Sequence, residues 1–413
     1  MKKGTTFVAL DDSKRKLVVG ILQPGAEEPE VREIPNEAKL LRRLFERLRR
    51  EGPVAACYEA GVSGYDLDRQ ITGLGVACQV IAPALTPRRP GQRIKTDTRD
   101  AKKLVRLVRA GELTAIRVPA EAEEGVRDFV RCREDVRRDV GRWRHRVVKF
   151  LDRHGRRYVA GRNWTGRHWT WLRSQRFEVA ALQRTLEVSL FTLEQALARQ
   201  AELDREIEAL AQSEPYREPV GWRRCFRGID TLAAMILLVE IGDFHRFQRP
   251  RELMAYLGLG PSEHSSGERE RRGALTKAGN THARRAVVEA AWHYRHRPGL
   301  GRALARRSEG QPDACRGHAW RAQQRLHRRY RHLVGHGQRP PVAVAAVARE
   351  LVGFLWAAMT HRPWWHKSGT STRPATSHEL PERRRPRLAG ARLESPRASY
   401  ATPGPADPDD SRF

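Results

Sequence analysis

The chain has 413 residues, 39% of them hydrophobic, and carries 78 Lys and Arg against 49 Asp and Glu, a formal charge of +29. That length exceeds what one core usually supports (about 250–300 residues), so two or more domains are expected. A positive charge spread along the whole chain suits a polyanion, nucleic acid above all, and argues against a mere solubility surface or a local membrane patch.

Five scattered cysteines without a CxxC pair speak against a zinc knuckle or a disulfide framework and for a reducing compartment. No signal-peptide pattern and no apolar run near the roughly 18 residues of a membrane span are read, so an intracellular protein is expected.

Residues 7–11, 17–22 and 31–34 read as three short strands separated by turn residues, an antiparallel meander. Asn36 is expected to cap an amphipathic helix reaching Glu51. Val54–Glu59 reads as strand, 64–74 as helix and 77–82 as strand; a proline-rich loop, 83–90, then leads to Lys95-Thr-Asp97-Thr-Arg-Asp100-Ala101. This order is that of a ribonuclease-H-like domain. Asp11 and Glu59 end strands, where open α/β sheets build their sites. Asp97 and Asp100 are three residues apart, on one face of the next helix. Two such acids suit the positive end of a helix dipole; a shared divalent cation would equally relieve their repulsion.

From about residue 118 to 148 the chain is helical and basic, and Trp143, Trp164, Trp169 and Trp171 lie in or just beyond that stretch. Arginines there suit phosphates; the rings suit stacking on unpaired bases or a small core, with neither favoured. Leucines 182, 186, 190, 193 and 197 give residues 180–211 a heptad-like stripe, expected of a coiled-coil arm that joins two halves or pairs protomers. Two prolines in 213–219 mark a boundary. Gly228-Ile-Asp230 opens an apolar helix, with Asp230 as its cap; the same start could hold a phosphate or be a plain helical hairpin. Residues 262–273, with Ser265, Ser266, His264 and several arginines, form a glycine-punctuated loop before an arginine-rich helix, 281–295. A serine among guanidiniums suits attack on a phosphodiester, and an ordinary phosphate-contacting turn has the same composition. Residues 342–359 read as an apolar core helix and 361–413 as a disordered tail.

Taken together, Val8-Ala-Leu-Asp11, Tyr58-Glu-Ala-Gly61 with Gly64-Tyr65, Val80-Ile-Ala-Pro83 and Lys95–Ala101, then Glu240-Ile-Gly-Asp243, Tyr256-Leu-Gly-Leu259, Ser265-Ser-Gly267 and Thr276-Lys-Ala-Gly-Asn280, resemble the DEDD transposases of insertion sequences, bridge-RNA-guided recombinases. The resemblance covers about residues 5–360. It implies a RuvC-like α/β domain (1–155), a basic segment and coiled-coil arm (156–219), and a mostly helical C-terminal transposase domain (220–360). It further implies Mg²⁺ held by Asp11, Glu59, Asp97 and Asp100, with Ser266 (or else Ser265) as a nucleophile forming a phosphoserine link. DNA ends and target, a non-coding guide RNA and a dimer or tetramer are the implied partners, with no membrane, in the cytoplasm or nucleoid of a bacterium or archaeon. Nucleic-acid contacts are expected from Lys95, Arg99, Arg142, Trp143, Arg146, Arg269, Arg271, Arg272, Lys277, Arg284 and Arg285. Two other readings stand beside this one: a RuvC-like structure-specific endonuclease that needs the acids but no serine, and a non-catalytic nucleic-acid-binding protein on a dead nuclease fold.

Overall fold

The computed structural model describes residues 4–61, 63–87, 96–263 and 272–361. Its N-terminal part is a five-stranded sheet in the order β3-β2-β1-β4-β5. Strands β1 (Thr6–Asp12), β2 (Lys16–Leu22) and β3 (Glu30–Pro35) form the expected antiparallel meander; β4 (Val54–Glu59) and β5 (Ala77–Ile81) run parallel to β1. Helix α1 (Ala38–Glu51) lays Leu41, Leu44, Phe45 and Leu48, one stripe at helical spacing, on the face formed by Val8, Leu10, Leu17 and Val19. Helix α2 (Asp66–Gly73) joins the same layer through Leu67 and Ile71. Helix α3 (Asp97–Ala110) covers the opposite face, where Leu104, Val105 and Val108 meet Phe7, Ala9 and Cys57. Asn36 does not cap α1. Its amide donates instead to Asp12 Oδ1 (3.0 Å) and the Ser13 carbonyl (2.9 Å), tying the turn after β1 to the helix entry.

The long helix α4 (Glu121–Arg153) carries the chain away from the sheet; α5 (Gly166–Ser174) and α6 (Ala180–Ala211) pack back along it. Leu186 and Leu193 of the heptad-like stripe are buried, with Leu182, Leu190 and Leu197 beside them, against Val140, Val147, Phe150 and Leu151 of α4. The seam expected of a coiled coil is thus filled from the same chain. The four tryptophans pack on this small cluster too. Arg133 clamps Asp204 with two bonds, 2.6 and 3.0 Å, locking α4 to α6.

The remainder is helical: α7 (Arg217–Arg224), α8 (Thr231–Ile241), α9 (Pro250–Tyr256), α10 (Thr281–Ala291), α11 (Arg302–Ser308), α12 (Asp313–Gly335) and α13 (Pro340–Thr360). Asp230 caps α8 as expected, accepting from the Ala233 amide at 2.8 Å. Between α9 and α10 the glycine-punctuated stretch is the base of a hairpin, β6 (Pro261–Glu263) with β7 (Arg272–Leu275), a pairing that periodicity over three or four polar residues does not announce. By length and composition helix α13 is long and apolar enough to cross a membrane, although Arg349 and Glu350 interrupt its apolar run. It serves as a core helix. Val344, Val347, Leu351, Phe354 and Leu355 are buried in the core that α13 forms with α7, α9, α10 and α12, and its Glu350 pairs with Arg325 (3.0 Å) and Arg329 (3.4 Å). Val130, Ile207 and Ala211 bring the roots of α4 and α6 into the same core. From residue 362 the segment read as a disordered tail lies outside the described residues.

Candidate active site

Strand register does most of the placing. Leu10 pairs with Tyr58 in the parallel β1–β4 ladder, so the next residues, Asp11 and Glu59, stand side by side at the carboxyl ends of neighbouring strands. Odd-numbered positions of both strands (Phe7, Ala9, Cys57) face α3, and alternation sends Asp11 and Glu59 to that same face. On α3, Ala101, Leu104, Val105 and Val108 point at the sheet, and one turn earlier their stripe begins with Asp97 and Asp100. The helix sits close. A Cβ at Gly20 would lie 2.8 Å from the Ala101 carbonyl oxygen, so only glycine in β2 allows this approach. Thr96 caps the helix, its hydroxyl accepting from the Arg99 amide at 3.3 Å. All four acids therefore face one end of one side of the sheet.

Their immediate partners are polar. Lys16 lies 3.9 Å from Asp97 and 3.0 Å from Glu33, and the Thr86 hydroxyl donates to Glu59 at 2.7 Å. Asp12, the second acid in β1, belongs to the α1 face, where Asn36 holds it. Cys57 lies one alternation below Glu59, and burial with the nearby Glu59 charge pushes its thiol up to about 12, too high for a nucleophile. Among the described residues, no three acids, histidines or cysteines are gathered closely enough to hold an ion in this arrangement. The donor set is nonetheless all oxygen on one face, the chemistry that a hard divalent cation such as Mg²⁺ takes and that zinc does not prefer.

A second constellation lies at the root of the β6–β7 hairpin. The backbone amides of Thr276, Lys277 and Asn280 donate to the carbonyls of Gly260 (2.9 Å), Gly258 (3.1 Å) and Tyr256 (3.1 Å). Gly258, at φ +62°, is packed so tightly that a Cβ would lie 2.0 Å from the Ala278 carbonyl. Gly258→Ala combines left-handed strain with that clash, and a loss of about 2–4 kcal/mol is expected, read as a lower urea midpoint. Asn280 caps α10 through its carbonyl, accepting from the Ala283 amide at 2.9 Å, while its amide donates to Glu240 Oε2 at 2.7 Å. Glu240 is buried and also receives Arg131 of α4 at 2.7 and 2.8 Å. Glu134, one helical turn further along α4, is buried beneath Arg137 and Arg285. Burial pushes its pKa up, but the hydrogen bonds and charges of Arg285 and Arg137 outweigh it and hold the carboxyl down at about 2.

These contacts reassign several expected residues. Arg285 belongs to the Glu134 cluster and joins α10 to α4, while Arg284 braces the hairpin root by donating to the Leu257 carbonyl at 3.0 Å. Arg142 pairs with Asp139 at 2.9 Å, and Arg146 lies over the Trp143 ring at 4.5 Å. Arg99 and Lys277 are exposed. Lys95, Ser265, Ser266, Arg269 and Arg271 lie outside the described residues, as does the side chain of Arg272. Sequence reading missed Glu134 and Arg131 and quoted Glu240 only as part of a family motif, without the pairing that its place at the end of an otherwise apolar helix calls for.

The family model of DEDD transposases of the IS110 type matches residues 8–155, and that of the transposase IS116/IS110/IS902 family matches residues 225–305. A putative transposase, y4qE, of Sinorhizobium fredii is 41% identical over 355 residues, which cover 85% of this chain and 87% of that one. The transposase for insertion sequence element IS1533 of Leptospira borgpetersenii is 34% identical over 337 residues, covering 80% and 97%. The acids sit within the first matched region and the hairpin root within the second. The chain belongs to the IS110 family of insertion-sequence transposases, DNA strand-transfer enzymes.

Proposed function

We propose that this chain cuts and rejoins DNA at the ends of an insertion sequence, with Asp11, Glu59, Asp97 and Asp100 as the metal-binding acids of a ribonuclease-H-like (RuvC-like) domain. The observation that carries this is the β1–β4 register, which puts Asp11 beside Glu59 under the start of α3. When bound, Mg²⁺ would polarise a phosphodiester and stabilise charge on its leaving oxygen. The protein's own part would be positional: two strands and a capped helix carry the four carboxylates on one face of the sheet, with Lys16 3.9 Å from Asp97. We divide the chain into a catalytic domain (1–155), an arm (156–219) and a C-terminal transposase domain (220–360).

The acids alone imply metal-dependent cleavage by water or a hydroxyl and do not call for a serine. Ser266, with Ser265 as alternative, is a separate assignment that rests on sequence. In it the serine oxygen bonds to phosphorus as a backbone P–O bond breaks, and the serine proton ends on the departing hydroxyl. Attack by another strand's hydroxyl reverses the step and conserves the ester. A labelled element end incubated with the protein and Mg²⁺ is expected to yield a protease-sensitive DNA adduct on denaturing gels, absent from Ser265→Ala/Ser266→Ala. Full recombination by that double variant would assign the chemistry to the acids alone.

A structured guide RNA is the proposed reader of DNA sequence, since base pairing can carry specificity that a protein's charge cannot. Copurification of one discrete RNA species encoded beside the gene is the expected result. A dimer or tetramer is proposed because two DNA ends must be joined; Val188 and Phe191, exposed on the outer side of α6, offer apolar surface for it.

A further inference from the structure

Most arginines of α4 are already neutralised: Arg131, Arg133, Arg137, Arg138 and Arg142 each hold an acid of this chain. A different group is not. Arg224 ends α7, Arg227 lies in the turn before α8, and Arg306 and Arg307 close α11; among the described residues none of them makes an ion pair. The Nε atoms of Arg224 and Arg307 are buried without a hydrogen-bond partner. His293, just beyond α10, lies against this turn at Gly228. Burial, and then the charges of Arg227, His296, Arg307 and Arg295, push its pKa down, as a crowd of like charges would. The acid that reaches Arg307 is Asp230, whose carboxylate is engaged in capping α8.

Half-buried cations collected with little counter-charge are stabilised when an anion completes them. We propose that Arg224, Arg227, Arg306 and Arg307, with His293, form a phosphodiester-binding face of the C-terminal part that shares no residue with the four acids or with β6 and β7. Guanidiniums suit this ligand, because each can fork two N–H bonds onto one phosphate. The geometry reads backbone rather than base edges, so binding here positions the nucleic acid without sequence preference. The inference rests on the chain's being a DNA-acting transposase and on neither the acids nor the serine.

The test compares Arg227→Gln/Arg306→Gln/Arg307→Gln with a control of equal charge, Arg138→Gln/Arg173→Gln/Arg217→Gln, whose arginines are held by Asp135, Glu194 and Glu214. Fluorescence anisotropy on a 25-base-pair duplex and on a hairpin RNA, from 50 to 300 mM salt, gives affinity and salt slope. Each phosphate contact contributes about 0.9 to the slope, so the patch variant should lose roughly 2–3 units and at least about tenfold in affinity at 0.1 M salt. Loss on the duplex assigns the face to DNA, loss on the hairpin alone assigns it to RNA, and both support the site. Circular dichroism must show the variant folded. An unchanged slope on both ligands, or an equal fall in the control, overturns the proposal.

Discussion

Asp97→Asn/Asp100→Asn is expected to lower strand transfer by about 10³-fold or more with little change in stability. The amides keep the shape of the side chains but lose the charge that a divalent cation and the developing phosphoryl transition state require, and each such electrostatic contributor typically supplies 10²–10³. What the fold loses is small. The pair favours the positive end of α3 by about 0.3–1 kcal/mol each, and the exposed Lys16–Asp97 contact at 3.9 Å adds little. Activity and folding therefore separate. Asp12→Asn is the sharper companion, because Asp12 adjoins Asp11 in sequence yet stands on the α1 face with Asn36. It should keep near-normal activity where Asp11→Asn loses it. The measurement is single-turnover transfer of a labelled element end in Mg²⁺. More than a tenth of normal rate in the Asp97/Asp100 variant, or equal losses in the Asp11 and Asp12 variants, would remove this site from the mechanism.

The sheet and its acids were legible because the information is local. Short continuous apolar runs mark β1, β2 and β4, glycine and proline mark their ends, and an acid at a strand end needs only the strand order to find its neighbour. Helix α6 was equally plain, to the residue. Its partner was not: a heptad stripe says that a helix needs covering and is silent on whether α4 or another copy covers it. The partners of the buried acids were hidden for a related reason. Net charge counts Arg285 and Arg131 as available cations, whereas Glu134 lies 151 positions from Arg285 and Glu240 lies 109 from Arg131. Pairings over such separations are set by packing of α4 on α8 and α10, which periodicity does not encode. Arg224, Arg227, Arg306 and Arg307, without an ion pair among the described residues, stand in no motif that would draw attention. Helix α13 shows the same limit from the apolar side, since an interior helix of this core and a membrane span share one composition.

Removing Arg131 should be among the most destabilising single changes on the surface of α4. Arg131→Ala leaves Glu240, whose side chain is 1% exposed, with only Asn280 as a side-chain partner. Breaking a buried pair on one side commonly costs about 3–5 kcal/mol, because the remaining charge is desolvated without compensation. Arg131→Met/Glu240→Met should recover most of that loss, since a matched apolar pair carries no such penalty and Asn280 keeps the Glu240 carbonyl at 3.3 Å. Acid gives the sign. In the native protein burial pushes the Glu240 pKa up, but the hydrogen bonds from Arg131 and Asn280 and the Arg131 charge prevail and hold it below the ordinary value. A depressed carboxylate lends stability that is fully present above its unfolded pKa, about 4.3, and that fades as pH falls toward the folded value. Without Arg131 the burial effect remains and the shift reverses, so the carboxyl protonates more easily in the fold than out of it. The deficit of Arg131→Ala should therefore be largest at neutral pH and shrink toward pH 4. Urea unfolding at pH 7.5 and 4.5 measures both. A variant within 1 kcal/mol of the parent at pH 7.5, or a deficit that grows on acidification, would mean that this pair does not hold α4 to the C-terminal core.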